Sequence, residues 1–155
     1  MDGIAHRTTV LARPGLILRR YIYAMAHYFI VTVLLSAGIL KIYNPASLLA
    51  TLELLSLINN SIAIVIATIL PVTEITIGIL LLTGTKAKIA VISAAGLFWF
   101  LFAFSIYGYA AEFDADCGCF GNVIASDFGI GMIIRNLIFA VISTSLVLFH
   151  KGKKF

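Results

Sequence analysis

An all-α integral membrane bundle of four helices is predicted by three features of the sequence. Charges are too few for a water-facing surface, four apolar runs reach bilayer length, and basic residues gather at alternate ends of those runs. Of 155 residues, 61% are hydrophobic and only 12% charged, with a mean hydropathy of +1.08. A soluble domain carries about a quarter charged residues, so the bilayer is the natural solvent for this chain. The length suits one domain: a basic segment over 1–20, a membrane body over 21–150 and a basic tail over 151–155. A net charge of +4 raises the question of nucleic acid. The basic residues sit at the ends of apolar runs, with no patch of interleaved aromatics, so topology explains the charge and nucleic-acid binding does not.

About 20 apolar residues cross a hydrocarbon core. The first span is expected over 21–43, an apolar run interrupted by His27 and ending near Lys41. A second apolar stretch, 46–58, is too short to cross. It follows the turn signal Asn44-Pro45 and carries Glu53 among leucines, which predicts a short helix lying in the interface or against the bundle. The second span is expected over 61–83 with Pro71 and Glu74 inside it, the third over 89–111 without charge, and the fourth over 128–149 with Arg135 as its charge. Short connectors make successive spans antiparallel neighbours.

The basic residues orient the bundle. Arg7, Arg13, Arg19 and Arg20 precede the first span, Lys86 and Lys88 lie between the second and third, and Lys151, Lys153 and Lys154 follow the fourth. With four spans all of these fall on one side, which the positive-inside rule assigns to the cytoplasm of a multi-pass plasma-membrane protein. Both termini are then cytoplasmic, and the first span is expected to act as an uncleaved anchor. The segment between the third and fourth spans faces outward.

That outward segment holds both cysteines, Cys117 and Cys119. Thiols two positions apart lie roughly 5.5–7 Å apart at Cα, at the upper end of what a disulfide tolerates. A bridge there would be strained, with Gly118 supplying backbone freedom, and a strained exposed disulfide accepts electrons readily. Glu112, Asp114 and Asp116 raise the pKa of nearby thiols, which suits a disulfide awaiting attack better than a thiol attacking on its own. Three other readings stay open: a structural staple, weak because so short a ring removes little unfolded-state entropy; two inert thiols; and a metal site. The last lacks further ligands, because His6, His27 and His150 lie on or towards the cytoplasmic side.

Ionisable residues inside spans face the bundle interior and pair. On the second span Ala67, Pro71, Glu74 and Gly78 share one face. Ala37, Gly38 and Lys41 do so on the first span, and Gly131 and Arg135 on the fourth, small residues that admit a neighbouring helix. Counted from the outer ends, Arg135 lies about 10 Å deep and Glu74 about 20 Å deep, a gap the arginine side chain narrows with a water between them. Lys41 is expected near the outer surface, close to Glu53 or the cysteine segment. Two readings of Lys41, Glu74 and Arg135 follow: an ion pair fixing helix register, or a polar pocket that binds a quinone head group or relays protons.

Several short motifs occur together: Ser36-Ala37-Gly38-Ile39-Leu40-Lys41, Asn44-Pro45, Pro71-Val72-Thr73-Glu74 with Gly78, and Asp116-Cys117-Gly118-Cys119-Phe120-Gly121. In these, over about residues 20 to 150, the chain resembles the DoxX-like superfamily and specifically its MauE-type branch. The resemblance implies a four-helix membrane protein with Cys117 and Cys119 as a redox pair and Lys41 and Glu74 as polar core positions. It also implies a separate thioredoxin-like partner, since MauE-type proteins are linked to maturation of a disulfide-rich methylamine dehydrogenase subunit. The expected function is thiol–disulfide exchange with such a partner, with quinone as a candidate electron carrier. The alternatives are an accessory subunit of a larger membrane or respiratory complex, and a membrane subunit of a thiosulfate:quinone oxidoreductase, as in wider relatives.

Overall fold

The computed structural model describes residues 14–53, 59–111 and 129–151. These form five helices: α1 (Pro14–Tyr43), α2 (Ala46–Glu53), α3 (Asn60–Thr83), α4 (Ala87–Ala110) and α5 (Ile130–Lys151). Four of them are long and apolar enough to cross a membrane, over Ile17–Tyr43, Ser61–Thr83, Ala87–Ala110 and Ile130–Phe149. The chain is a multi-pass membrane protein with an all-α body.

Local chemistry sets the ends of these helices. Proline is pre-organised for a first helical position, and Pro14 opens α1 seven residues before the expected span. The helix therefore carries Arg19 and Arg20 as part of its length, and at 30 residues it is roughly 45 Å long. Apolar length marked the bilayer crossing and understated the helix. α1 stops at Tyr43 because Pro45 disfavours helical backbone at Asn44. The short helix predicted over 46–58 is described as Ala46–Glu53, and 54–58 lie outside the described residues. α3 ends where Gly84 turns left-handed at φ 69° and gives its N–H to the Leu81 carbonyl at 3.3 Å. Only three residues then separate α3 from α4, which makes the two antiparallel neighbours.

The four long helices form a ring in which α1 packs most extensively on α3 and α4 on α5. Weaker α3–α4 and α1–α5 contacts close it, and the diagonal pairs barely meet. The main core gathers Ile30 and Leu34 of α1, Ile77 and Leu81 of α3, Val91, Ala94 and Phe98 of α4, and Phe139 and Leu146 of α5. Polarity is inverted relative to a soluble bundle. Ile64, Val72, Phe100 and Val141 are exposed, while Lys41, Glu74, Ser105, Asn136 and Ser143 are buried. Hydrocarbon accepts the first group, and the second must be satisfied inside. Hydroxyls on the outer face bond their own helix: Thr68, Thr73 and Thr76 each donate to the carbonyl four residues back.

The helix ends are staggered, and this positions the site. We call the end where α4 stops and α5 starts the distal end, and the end where α1 starts and α5 finishes the terminal end. Gly38 faces Pro71, Glu74 and Ile75, while Gly78 faces Leu34 and Leu35. In that register Tyr43 comes level with the stretch around Ile69, so the distal part of α3 rises past the end of α1. α2 covers it, burying Leu48 and Leu52 against Ala63 and Ala67. The short helix is thus tucked against the bundle.

A buried charge pair between α1 and α3

The small-residue face read from α3 is present: Ala67, Pro71, Glu74 and Gly78 are all buried, as are Ala37, Gly38 and Lys41 on α1. The two faces meet closely because Gly38 has no side chain. A Cβ there would stand 2.6 Å from Ile75 Cγ1, 3.0 Å from the Pro71 carbonyl oxygen and 3.3 Å from Glu74 Cβ. The corresponding expectation for α5 is corrected. Gly131 is exposed and nothing described lies within 4 Å of its Cβ position, because it sits in the first turn of α5, facing away from the other helices.

At this close approach Lys41 Nζ donates to Glu74 Oε1 at 2.5 Å, with both side chains only 1% exposed. Two sequence expectations are corrected by this pair. Glu74 takes Lys41 as its ion-pair partner, where depth counting pointed to Arg135, and Lys41 is in the core and not near the surface beside Glu53, which is exposed. The physical reason is twofold. Depth had been counted from helix ends assumed level, whereas α3 overshoots α1. Helical side chains also lean toward their own N-terminus. Lys41 therefore leans toward the terminal end and Glu74, on an antiparallel helix, toward the distal end, so the two converge.

The other in-span cation, Arg135, is half-buried on α5. Beside it Asn136 is 3% exposed and donates Nδ2 to the Leu101 carbonyl of α4 at 3.3 Å. Sequence reasoning missed Asn136. The signal was an amide within an apolar run, and Arg135 next to it drew the attention. Lys41, Glu74 and Asn136 share the wall of a narrow crevice with Leu34, Phe98 and Phe139, at the junction of all four long helices. The crevice has room for about one water molecule.

At the terminal end His27 donates Nε2 to the Leu81 carbonyl at 3.1 Å and stacks on Tyr23 at 6.1 Å between ring centroids. Arg19 lies over the Phe149 ring, 4.8 Å from its centroid. Cys117 and Cys119, the predicted redox pair, lie outside the described residues.

A family model described as methylamine utilisation protein MauE matches residues 19–149. The chain belongs to the MauE family. The match begins at Arg19 and ends at Phe149, the two residues stacked at the terminal end, so it takes in all four spans and both cysteines. The MauE branch of the resemblance read from the motifs is supported by this match. No curated protein and no solved structure matches the chain.

Proposed function

We propose that this MauE-family protein is the membrane partner in a thiol–disulfide exchange, with Cys117 and Cys119 as its redox pair. A thioredoxin-like protein outside the cytoplasm is the counterpart. The observation that carries the reading is the placement of the only two cysteines. They stand one residue apart between two spans, on the side opposite every basic cluster. In the exchange a partner thiolate attacks one sulfur of the Cys117–Cys119 disulfide, forming a mixed disulfide and expelling the other cysteine as a thiolate that takes a proton from water. The partner's second thiolate then attacks its own sulfur in the mixed disulfide, which releases the remaining cysteine as a thiolate that likewise takes a proton from water. The partner has lost two electrons and two protons, and the pair has gained them. Run backwards, the same steps oxidise the pair and reduce the partner.

The MauE name ties the family to methylamine utilisation, so growth on methylamine is the phenotype to read in a host that requires the protein. The crevice beside Glu74 has room for about one water molecule, which is too little for a quinone ring at that position. Cys117→Ser and Cys119→Ser variants test the reading. One of them should accumulate a reductant-sensitive adduct with a soluble protein on non-reducing gels, and both should lose the growth phenotype. Full growth in both variants, with no adduct in either, would sink the proposal. A stoichiometric complex that survives mild detergent and is indifferent to both replacements would support an accessory-subunit role in its place.

A further inference from the structure

Glu74 is 1% exposed, and although Oε1 holds Lys41, its Oε2 is buried with no hydrogen-bond partner among the described residues. A carboxylate has lone pairs for about four bonds, and leaving one oxygen dry in a low-dielectric interior is costly. The crevice supplies what is missing. It has room for about one water, and such a site holds a water when about two to four polar groups surround it. Glu74, Lys41 and Asn136 are the polar residues of its lining. Glu74 Oε2 accepts, Lys41 Nζ carries three protons of which Oε1 takes one, and Asn136 Nδ2 carries two of which the Leu101 carbonyl takes one. The remaining walls, including Leu34, Phe98 and Phe139, are apolar and offer a water no competing partner.

We propose that this crevice binds a single internal water molecule that donates to Glu74 Oε2 and accepts from Lys41 Nζ or Asn136 Nδ2. The water links the charge pair between α1 and α3 to α5, and so joins the two helix pairs across the crevice. It also makes Glu74 a membrane-embedded carboxylate in contact with an exchangeable proton source. The inference does not depend on the cysteine chemistry.

The test is water-to-protein magnetisation transfer by solid-state NMR on the full chain in lipid bilayers. The Glu74 Cδ signal is identified by its loss in Glu74→Gln. In the wild type, transfer to Glu74 Cδ and Lys41 Nζ should be fast, while the Leu34 methyl carbons stay dark at the same mixing time. Asn136→Leu removes one donor and fills the space, so the fast transfer to Glu74 Cδ should disappear while the helical circular dichroism holds. Transfer to Glu74 in the wild type as slow as to Leu34 would overturn the proposal, as would fast transfer undiminished by a folded Asn136→Leu. Should the leucine variant fail to fold, the wild-type comparison of Glu74 with Leu34 decides alone.

Discussion

The α1/α3 and α4/α5 pairs are both tight antiparallel couples, and they are held by different physics. α1 and α3 touch through glycine, backbone and a buried ion pair: Gly38 against Pro71, Gly78 against Leu35, and Lys41 on Glu74. α4 and α5 are joined by aromatic and neutral polar contacts. Phe98 and Phe139 meet at 5.4 Å between ring centroids, Trp99 donates to Thr144 at 3.0 Å, and Asn136 donates to the Leu101 carbonyl. The charges of Lys41 and Glu74 thus lie between the two helices that Gly38 and Gly78 let approach, where each satisfies the other. The pair joined by the cysteine segment carries bonds that are individually weak and replaceable. The first couple reads as a fixed frame and the second as the side that tolerates change, and substitutions at the ion pair, at two glycines and at Trp99 probe that contrast.

The largest effect is expected at the ion pair. Removing one partner of a buried pair leaves an uncompensated charge and costs about 3–5 kcal/mol, whereas replacing both by apolar groups of similar size is about neutral or stabilising. Lys41→Met and Glu74→Leu should each lose stability on that scale in detergent unfolding titrations, and the double variant should recover most of it. A double variant as unstable as its parents would show that the pair does not act as a unit. If the double variant folds and still loses the growth phenotype, the pair serves function as well as register.

Next come two glycines. Gly38→Ala drives a methyl into Ile75 and the Pro71 carbonyl, and overpacking of this kind costs about 1–3 kcal/mol. Gly96, on the exposed face of α4, has nothing described within 4 Å of its Cβ position. Gly96→Ala should be neutral or, through helix propensity, stabilising by up to about 1 kcal/mol. Equal destabilisation by both would contradict the close approach of α1 and α3. The sole tryptophan, Trp99, reports the α4/α5 side by fluorescence in both variants.

Legibility in the sequence followed the same division between pattern and contact. The spans could be read because hydrocarbon imposes a length, and for α3 the apolar run over 61–83 falls within one residue of the helix Asn60–Thr83. The apolar stretch marks only the part of α1 that hydrocarbon requires, and the helix also includes Arg19 and Arg20, back to Pro14. Lys41, Glu74 and Arg135 stood out as costly residues, but the mate of Glu74 did not, because pairing depends on how far α3 overshoots α1. Asn136 hid as a neutral amide, and its role emerges only where four helices converge. The cysteine motif was the plainest functional sign in the sequence. Its chemistry rests on topology and on the trapping experiment, since it falls outside the described residues.

The smallest effect should be at Trp99→Phe, and it distinguishes a replaceable bond from an irreplaceable one. The indole donates to Thr144 Oγ1 at 3.0 Å, and the same hydroxyl donates to the Ala140 carbonyl at 2.7 Å. Losing the indole N–H therefore leaves Thr144 still bonded, and no buried charge is stranded. Interhelical hydrogen bonds in membranes average about 0.6 kcal/mol, and the substitution should lower stability by about that amount. Circular dichroism must follow the unfolding, since the fluorophore is gone. A loss as large as that of Lys41→Met would mean that α4 and α5 depend on this bond as heavily as α1 and α3 depend on their charges, and the contrast between the two couples would fail.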